Sequence, residues 1–331
     1  GIDVLSELED DPSVRSNVAI GNSALVMPKK ENIANLNFWN TIIGDHAGGN
    51  LNGGLYNVAI GRYSLYSYDT DKTHPGIQTY NKTNEANRSA HNIAIGYSAG
   101  SKISGGGHYN IAMGPMALAY TTNGNNNIAL GNYSMYNNQS NDYNIGIGIS
   151  SLYNFRGTGN TAVGSYAMRG QSETNNGTTT YATGAYNTAL GYMALYSTTS
   201  GGYNVGLGAS AMYYNTTGQY NTAVGRSALY GDSTNKYSGN YNTAIGYRTL
   251  YSATTGGYNI AIGPNSMYYN TTGQYNTAIG PESMRGDSTN KHTGEYNTVL
   301  GYRTLYSNVD GDRNTAIGAR AQYNYTGGTD N

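Results

Sequence analysis

The sequence predicts an all-β chain, a parallel β-roll or β-solenoid of about sixteen coils, with a base period of 17 residues as from Asn187 to Asn204. Three observations predict it: a five-residue phrase repeated along the whole chain, an apolar residue at a fixed distance behind each copy, and a composition that cannot build a globular core. The 331 residues include 47 Gly, 44 Asn and 35 Tyr, but only 2 Phe and 1 Trp. Charged residues make up 11%, less than half of the globular norm of about 25%. Disorder is disfavoured too, because Tyr is abundant, Pro is scarce (6) and the net charge is −1.

The charge balance also removes partners. With 18 basic and 19 acidic residues, there is no electrostatic footprint for a nucleic-acid backbone. No apolar run is long enough to span a bilayer, so membrane insertion is not expected. The absence of Cys excludes a disulfide framework and thiolate metal sites, and suits an extracellular setting. The opening Gly1-Ile2-Asp3 suggests processing or trimming. The composition points away from an enzyme, and no cofactor is expected.

The phrase reads Asn, then Thr/Ile/Val, Ala, an aliphatic residue, and Gly. It starts at Asn17, Asn40, Asn57, Asn92, Asn110, Asn127, Asn144 and Asn160, and again at Asn187, Asn204, Asn221, Asn242, Asn259, Asn276, Asn297 and Asn314. Ile42, Gly146 and Val299 are departures at its third position. The base period is also the commonest spacing, as from Asn204 to Asn221 and from Asn242 to Asn259. Eight residues after the Asn stands Leu or Met, as at Leu25, Leu65, Met135, Leu195 and Leu305. A longer block of three units recurs from Asn187 to Asn242 to Asn297. Repeats of this kind mean stacked units that cannot stand alone.

Each phrase reads as a strand, since it has period two, β-branched residues and a turn-former at each end. Gly every few residues makes a helix costly. The expected coil has two short strands and two turns, and coils stacked about 4.8 Å apart give a rod of roughly 75 Å. In Asn242-Thr243-Ala244-Ile245-Gly246, Thr243 and Ile245 share one face and Ala244 the other. The expectation is that the Ile245-type row and the Leu/Met row fill a narrow interior. The Ala row then faces outward, where a small side chain lets another copy approach. The expected domains are a lead-in at 1–16, the solenoid at 17–325 with insertions near 66–90 and 169–186, and a tail at 326–331.

Asn-x-Ala-Ile-Gly resembles the head repeat of YadA-type trimeric adhesins. The Tyr- and Asn-rich form, as in Tyr241-Asn242-Thr243-Ala244-Ile245-Gly246-Tyr247, is similar to that of phage tail fibres matured by an endosialidase-like intramolecular chaperone. The resemblance covers about residues 17–325. It implies a left-handed β-roll, a homotrimer, and a structural and receptor-binding role in the virion tail, with a host cell-surface glycan or protein and other virion tail proteins as partners. A trimeric adhesin head or filament subunit on a bacterial surface, and a polysaccharide-degrading tailspike, are the alternatives. The period is longer than is usual in the adhesins. No chaperone or anchor segment stands in the sequence, and an end at Asn331 suits a fibre whose chaperone was cleaved.

Insertions and aromatic positions locate the candidate contacts. Solenoid insertions commonly bind, and exposed Tyr suits recognition of sugars or proteins. The candidates are Tyr68, His74, Tyr80, Arg169, Tyr181, Tyr214 and Tyr269. Tyr also precedes the anchor Asn in ten units and follows the Leu/Met in nine. These rows have a second reading, as structural ladders that cover the core. Arg285-Gly286-Asp287 spells an integrin tripeptide, but its sister copy begins with Tyr230, so repeat drift explains it. His46, His74, His91, His108 and His292 lack metal-ligand spacing, and His91 and His108, which occupy or adjoin the position before the Asn, read as substitutes within that row. Asp69, Asp71, Asp310 and Asp312 read as turn residues rather than calcium ligands. Glu282, Asp287 and Glu295 are the densest carboxylates, with nothing to set an acid against a nucleophile.

Overall fold

The computed structural model describes residues 17–24, 39–49, 54–66, 90–103, 106–171, 173–175, 178–234, 236–289, 291–324 and 328–330. The chain divides into two compact units, Gly1–Thr158 and Gly159–Asn331. The first holds seven three-residue strands: β1 (Val18–Ile20), β2 (Thr41–Ile43), β3 (Val58–Ile60), β4 (Ile93–Ile95), β5 (Ile111–Met113), β6 (Ile128–Leu130) and β7 (Ile145–Ile147). The second holds β8 (Thr161–Val163), β9 (Glu173–Asn175), β10 (Thr178–Thr180), β11 (Thr188–Leu190), β12 (Val205–Leu207) and β13 (Thr222–Val224). It goes on through β14 (Thr243–Ile245), β15 (Ile260–Ile262), β16 (Thr277–Ile279), β17 (Thr298–Leu300) and β18 (Thr315–Ile317).

Both units are parallel β-solenoids. Each strand of the phrase pairs in parallel with the one in the next coil, in six pairings in the first unit and eight in the second. The register places every repeat position opposite itself, as with Ala59 and Ala94, or Ala223 and Ala244. β9 and β10 form a separate antiparallel hairpin within the insertion expected near 169–186. The other large insertion, apart from Tyr66 and Ala90 at its ends, lies outside the described residues, as do the lead-in at 1–16, Leu25, Asp69 and Asp71.

The anchor Asn explains the stacking. Asn259 is buried, and its Oδ1 accepts the backbone N–H of Asn276 at 3.0 Å. Its Nδ2 donates to Asn242 Oδ1 at 3.0 Å and to Gly273 O at 2.8 Å. Asn204, Asn187 and Asn110 repeat the pattern. One side chain thus satisfies backbone groups of its own coil and the next, which a narrow solenoid cannot offer to water. The Gly that closes the phrase is dictated by geometry. Gly225 has φ +130°, and a Cβ on it would fall 2.6 Å from Gly246 O.

The faces of the strand are the reverse of the sequence expectation. Ala244 is fully buried, whereas Ile245 is 38% and Leu190 48% exposed. The Ala row points into the solenoid, and the flanking Thr and aliphatic rows point out. Opposite the Ala row, the buried Leu/Met fills the interior. Where Gly146 stands in the Ala row, a Cβ would meet Met135 Cγ at 2.8 Å. The largest exception compensates: Ile42 points inward and is buried in the coil whose Leu/Met position is Gly48, and a Cβ on Gly48 would meet Ile42 Cδ1 at 3.2 Å, whereas the smaller Val299 is buried in a coil that keeps its buried Leu305. Likewise Gly100, at that position two coils on, makes room for Ile103, which is buried.

Among the described residues the expected second strand does not form. The Leu/Met residues adopt the left-handed region, with φ 46° at Leu65, 52° at Leu195 and 50° at Met267. Residues two positions earlier do the same, as at Tyr63 (φ 58°) and Met193 (φ 54°). Alternating left-handed residues turn the chain instead of extending it. The amides still reach the next coil, for Leu195 N–H donates to Ala211 O at 2.9 Å. This accounts for the choice of Leu or Met over Ile or Val. Positive φ is costly for any side chain and worst for a β-branched one. Burial and inter-coil bonding offset that cost at unbranched residues.

Candidate binding surface

The residue before each anchor Asn from Asn40 onward is also left-handed, for instance Tyr203 (φ 59°) and Tyr258 (φ 59°), and this turns a Tyr ring at that position outward. In the second unit Tyr186, Tyr203, Tyr220, Tyr241, Tyr258, Tyr275 and Tyr296 form a continuous stack with centroids 4.8–5.2 Å apart. In the first unit Trp39, Tyr56, His91 and Tyr109 stack at 4.8, 4.8 and 4.9 Å, so His91 substitutes within the row as the sequence suggested. The spacing is that of the coils, and it suits aromatic faces.

A second row follows the Leu/Met. Tyr196, Tyr213, Tyr230, Tyr251 and Tyr268 stack at 4.8–5.3 Å. Arg169 and Arg285 occupy the same register as these rings. The Arg169 guanidinium sits 5.9 Å from the Tyr196 centroid, and its Nη1 donates to Tyr196 Oη at 3.4 Å. Arg285 lies between rings, 5.4 Å from Tyr268 and 5.7 Å from Tyr306, and its Nη1 donates to Tyr306 Oη at 2.7 Å. A planar cation replaces a planar ring in the stack. Arg285 of the Arg-Gly-Asp triplet is therefore a member of the row. Asp287 caps its own turn, accepting from Thr289 N–H at 2.8 Å.

Burial is the main influence on three phenols of this row, Tyr213, Tyr230 and Tyr268. It pushes Tyr230 up to about 12, helped by Tyr214, Tyr251 and Tyr213, and raises Tyr213 and Tyr268 in the same way. These three phenols therefore stay neutral and hydroxyl-bearing well above neutral pH. Stacking consumes the ring faces, so the rows offer solvent their edges and hydroxyls.

The sequence candidates fall in different places. Tyr68, His74 and Tyr80 lie outside the described residues. Arg169 caps the second row, and half-buried Tyr181 stands just after β10. Tyr214 and Tyr269 share one register, three coils apart. Tyr214 meets Tyr213 and Tyr230 edge-on at 4.7 and 5.2 Å, and Tyr269 meets Tyr268 at 4.5 Å. They buttress the row at separate points and do not converge on one site with Arg169. Glu282 accepts from Arg303 Nε at 2.7 Å, and Asp312 Oδ1 accepts from Glu295 N–H at 2.8 Å. Among the described residues no three His, Asp or Glu side chains are grouped to hold a metal ion.

The two inserted segments near 231–240 and 286–295 each deliver a residue whose burial the sequence did not indicate. Tyr237 and His292, at equivalent places in the duplicated block, both enter the core and are fully buried. Tyr237 Oη donates to Asn221 Oδ1 at 3.0 Å and accepts from Asn242 Nδ2. His292 Nε2 accepts from Asn308 Nδ2 at 3.1 Å.

Repeat, register and ladders together define a parallel β-solenoid repeat protein in which successive anchor Asn residues most often stand 17 residues apart. No family model, curated protein or solved structure matches the chain, so kinship adds nothing finer to that class.

Proposed function

We propose that the chain is a structural and receptor-binding segment of a phage tail fibre, that three copies associate along their strand faces, and that the assembly attaches to a bacterial surface glycan or protein. The likeness of its repeat to tail-fibre and adhesin repeats motivates the proposal. The observation that carries the self-association is the outward strand face. Leu190 (48%), Leu300 (47%) and Ile317 (68%) remain exposed there, in rows that repeat at every coil. Monomeric proteins rarely leave large contiguous apolar patches open to water, and a periodic patch matches an identical periodic patch. A closed rotational assembly covers it without leaving an open edge.

Sedimentation equilibrium tests this. The expected mass is three times 35.2 kDa, and Leu190→Glu combined with Ile245→Glu is expected to release single chains, because charges would then face the apolar row of a neighbour. A single chain that stays folded in dilute solution would end the proposal. Adsorption of the intact protein to a panel of bacterial cells tests the attachment role separately.

A further inference from the structure

The duplicated block of the second unit holds the same cation twice, in two different settings. Arg248 and Arg303 stand at equivalent places in the coils of β14 and β17. Both have a φ of 51°, and both are half-buried. Each donates its backbone N–H to the preceding coil, Arg248 to Arg226 O at 3.1 Å and Arg303 to Pro281 O at 3.0 Å. Each guanidinium lies against two rings. That of Arg248 is 5.1 Å from the Tyr247 centroid and 5.5 Å from Tyr251, and that of Arg303 is 5.0 Å from Tyr302 and 5.7 Å from Tyr306. The preceding coil is what differs. Glu282 accepts from Arg303 Nε at 2.7 Å. At the place of Glu282 the other copy has Ser227, and at the place of Pro281 it has Arg226. One copy is a neutral ion pair, and the other holds two positive charges. Among the described residues no carboxylate pairs with Arg226 or Arg248.

We propose that Arg248, with Ser227 and Arg226 beside it, binds a carboxylate carried by an external ligand. The sister copy displays the chemistry of the position, a carboxylate set against an arginine with the same rings and the same backbone contact. With Ser227 in place of Glu282, the guanidinium keeps its N–H donors, and their fork suits the two oxygens of a carboxylate. A serine side chain is shorter than a glutamate and leaves the incoming group the space that the internal carboxylate takes in the sister copy. Its hydroxyl can donate to that group. The rings hold Arg248 in place, so less side-chain freedom is lost on binding. Arg226 is exposed and next to Ser227 in the chain, and its charge adds to the attraction for an anion. The choice of ligand rests on the attachment reading: the carboxylate is that of a uronic acid in a surface polysaccharide.

The probe is radiolabelled methyl β-D-glucuronoside, with methyl β-D-glucopyranoside as the neutral comparison, in equilibrium dialysis against the intact protein at low, fixed ionic strength. The wild type is expected to bind several-fold more glucuronoside than glucoside. Two variants exchange the copies, each using residues that this register already carries, and Ser227 (φ 54°) and Glu282 (φ 56°) share one backbone conformation. R226P/S227E restores the internal carboxylate and is expected to weaken glucuronoside binding about tenfold or more. P281R/E282S removes the carboxylate from the sister copy and is expected to give each chain a second site, doubling the ligand bound at low occupancy. Cations elsewhere on the surface are the same in all three proteins, so the differences isolate the two positions. No binding by the wild type, equal binding of the two probes, undiminished binding by R226P/S227E, or no gain with P281R/E282S would each overturn the proposal. Adsorption to cells that carry uronic acids separates the site from the broader reading. If R226P/S227E adsorbs as well as the wild type, the polysaccharide role of the site is overturned. If the wild type adsorbs to no cell in the panel, the attachment reading fails while the dialysis still decides the site.

Discussion

Asn259→Ala is expected to lower stability by about 4 kcal/mol and to break the solenoid locally rather than weaken it evenly. The substitution removes an acceptor and a donor from a buried chain of bonds. The Asn276 N–H loses its partner at 3.0 Å, Asn242 Oδ1 loses a donor at 3.0 Å, and Gly273 O loses another at 2.8 Å. A buried polar group left without a partner costs about 1–3 kcal/mol, and the emptied space adds to this. Asn259→Asp should be worse, because it keeps the acceptor but sets a carboxylate against Asn242 Oδ1 in a dry interior. In a stacked repeat each coil is held mainly by its neighbours, so the damage should concentrate in the coils of β14, β15 and β16. Amide hydrogen exchange checks this: protection should collapse around Asn242, Asn259 and Asn276 while that of the coils near β11 persists. Uniform loss along the chain, or none, would contradict the ladder.

The repeat was legible because the phrase names its own register. The anchor Asn, the closing Gly and the Leu/Met each occupy one physical environment, and no other residue meets the demands of each as well. The direction of the strand was not legible, because period two assigns Ala244 and Ile245 to opposite faces without saying which is the inside. Volume decides it: Ile42 is inward only where Gly48 replaces the Leu/Met. That compensating pair stood in the sequence and was the available signal. The missing second strand had a signal too, since its key position accepts Leu and Met but no Ile or Val. The burial of Tyr237 and His292 had no such signal, because a polar insertion gives no periodicity from which to infer that one of its residues turns inward.

His292 makes the second large prediction, an acid lability confined to one block of the repeat. Its imidazole is fully buried, and loss of hydration pulls its pKa from 6.5 down to about 4; the attraction of Asp312 works the other way and is smaller. The folded protein therefore holds the ring neutral while the unfolded chain takes up a proton below about 6.5. Stability is full above that value, falls as pH drops toward 4, and changes no further once both states are protonated. At about 1.4 kcal/mol per unit, the loss is about 3 kcal/mol. The sister block supplies the control. There the equivalent position is Tyr237, a group with no charge to gain on acidification, and the position of Asn308 is taken by Ala253. The pair has changed together, the smaller ring with the hydrogen-bonding partner and the larger ring with the methyl group. H292Y/N308A rewrites one block as the other, with Asn276 and Asn297 in place to receive the phenol as Asn221 and Asn242 do for Tyr237. Denaturation at pH 7 and pH 4 should show the wild type losing stability in the block around β16 and β17, and the double variant losing markedly less. Equal acid sensitivity of the two proteins would show that carboxylates elsewhere, and not this buried ring, set the response.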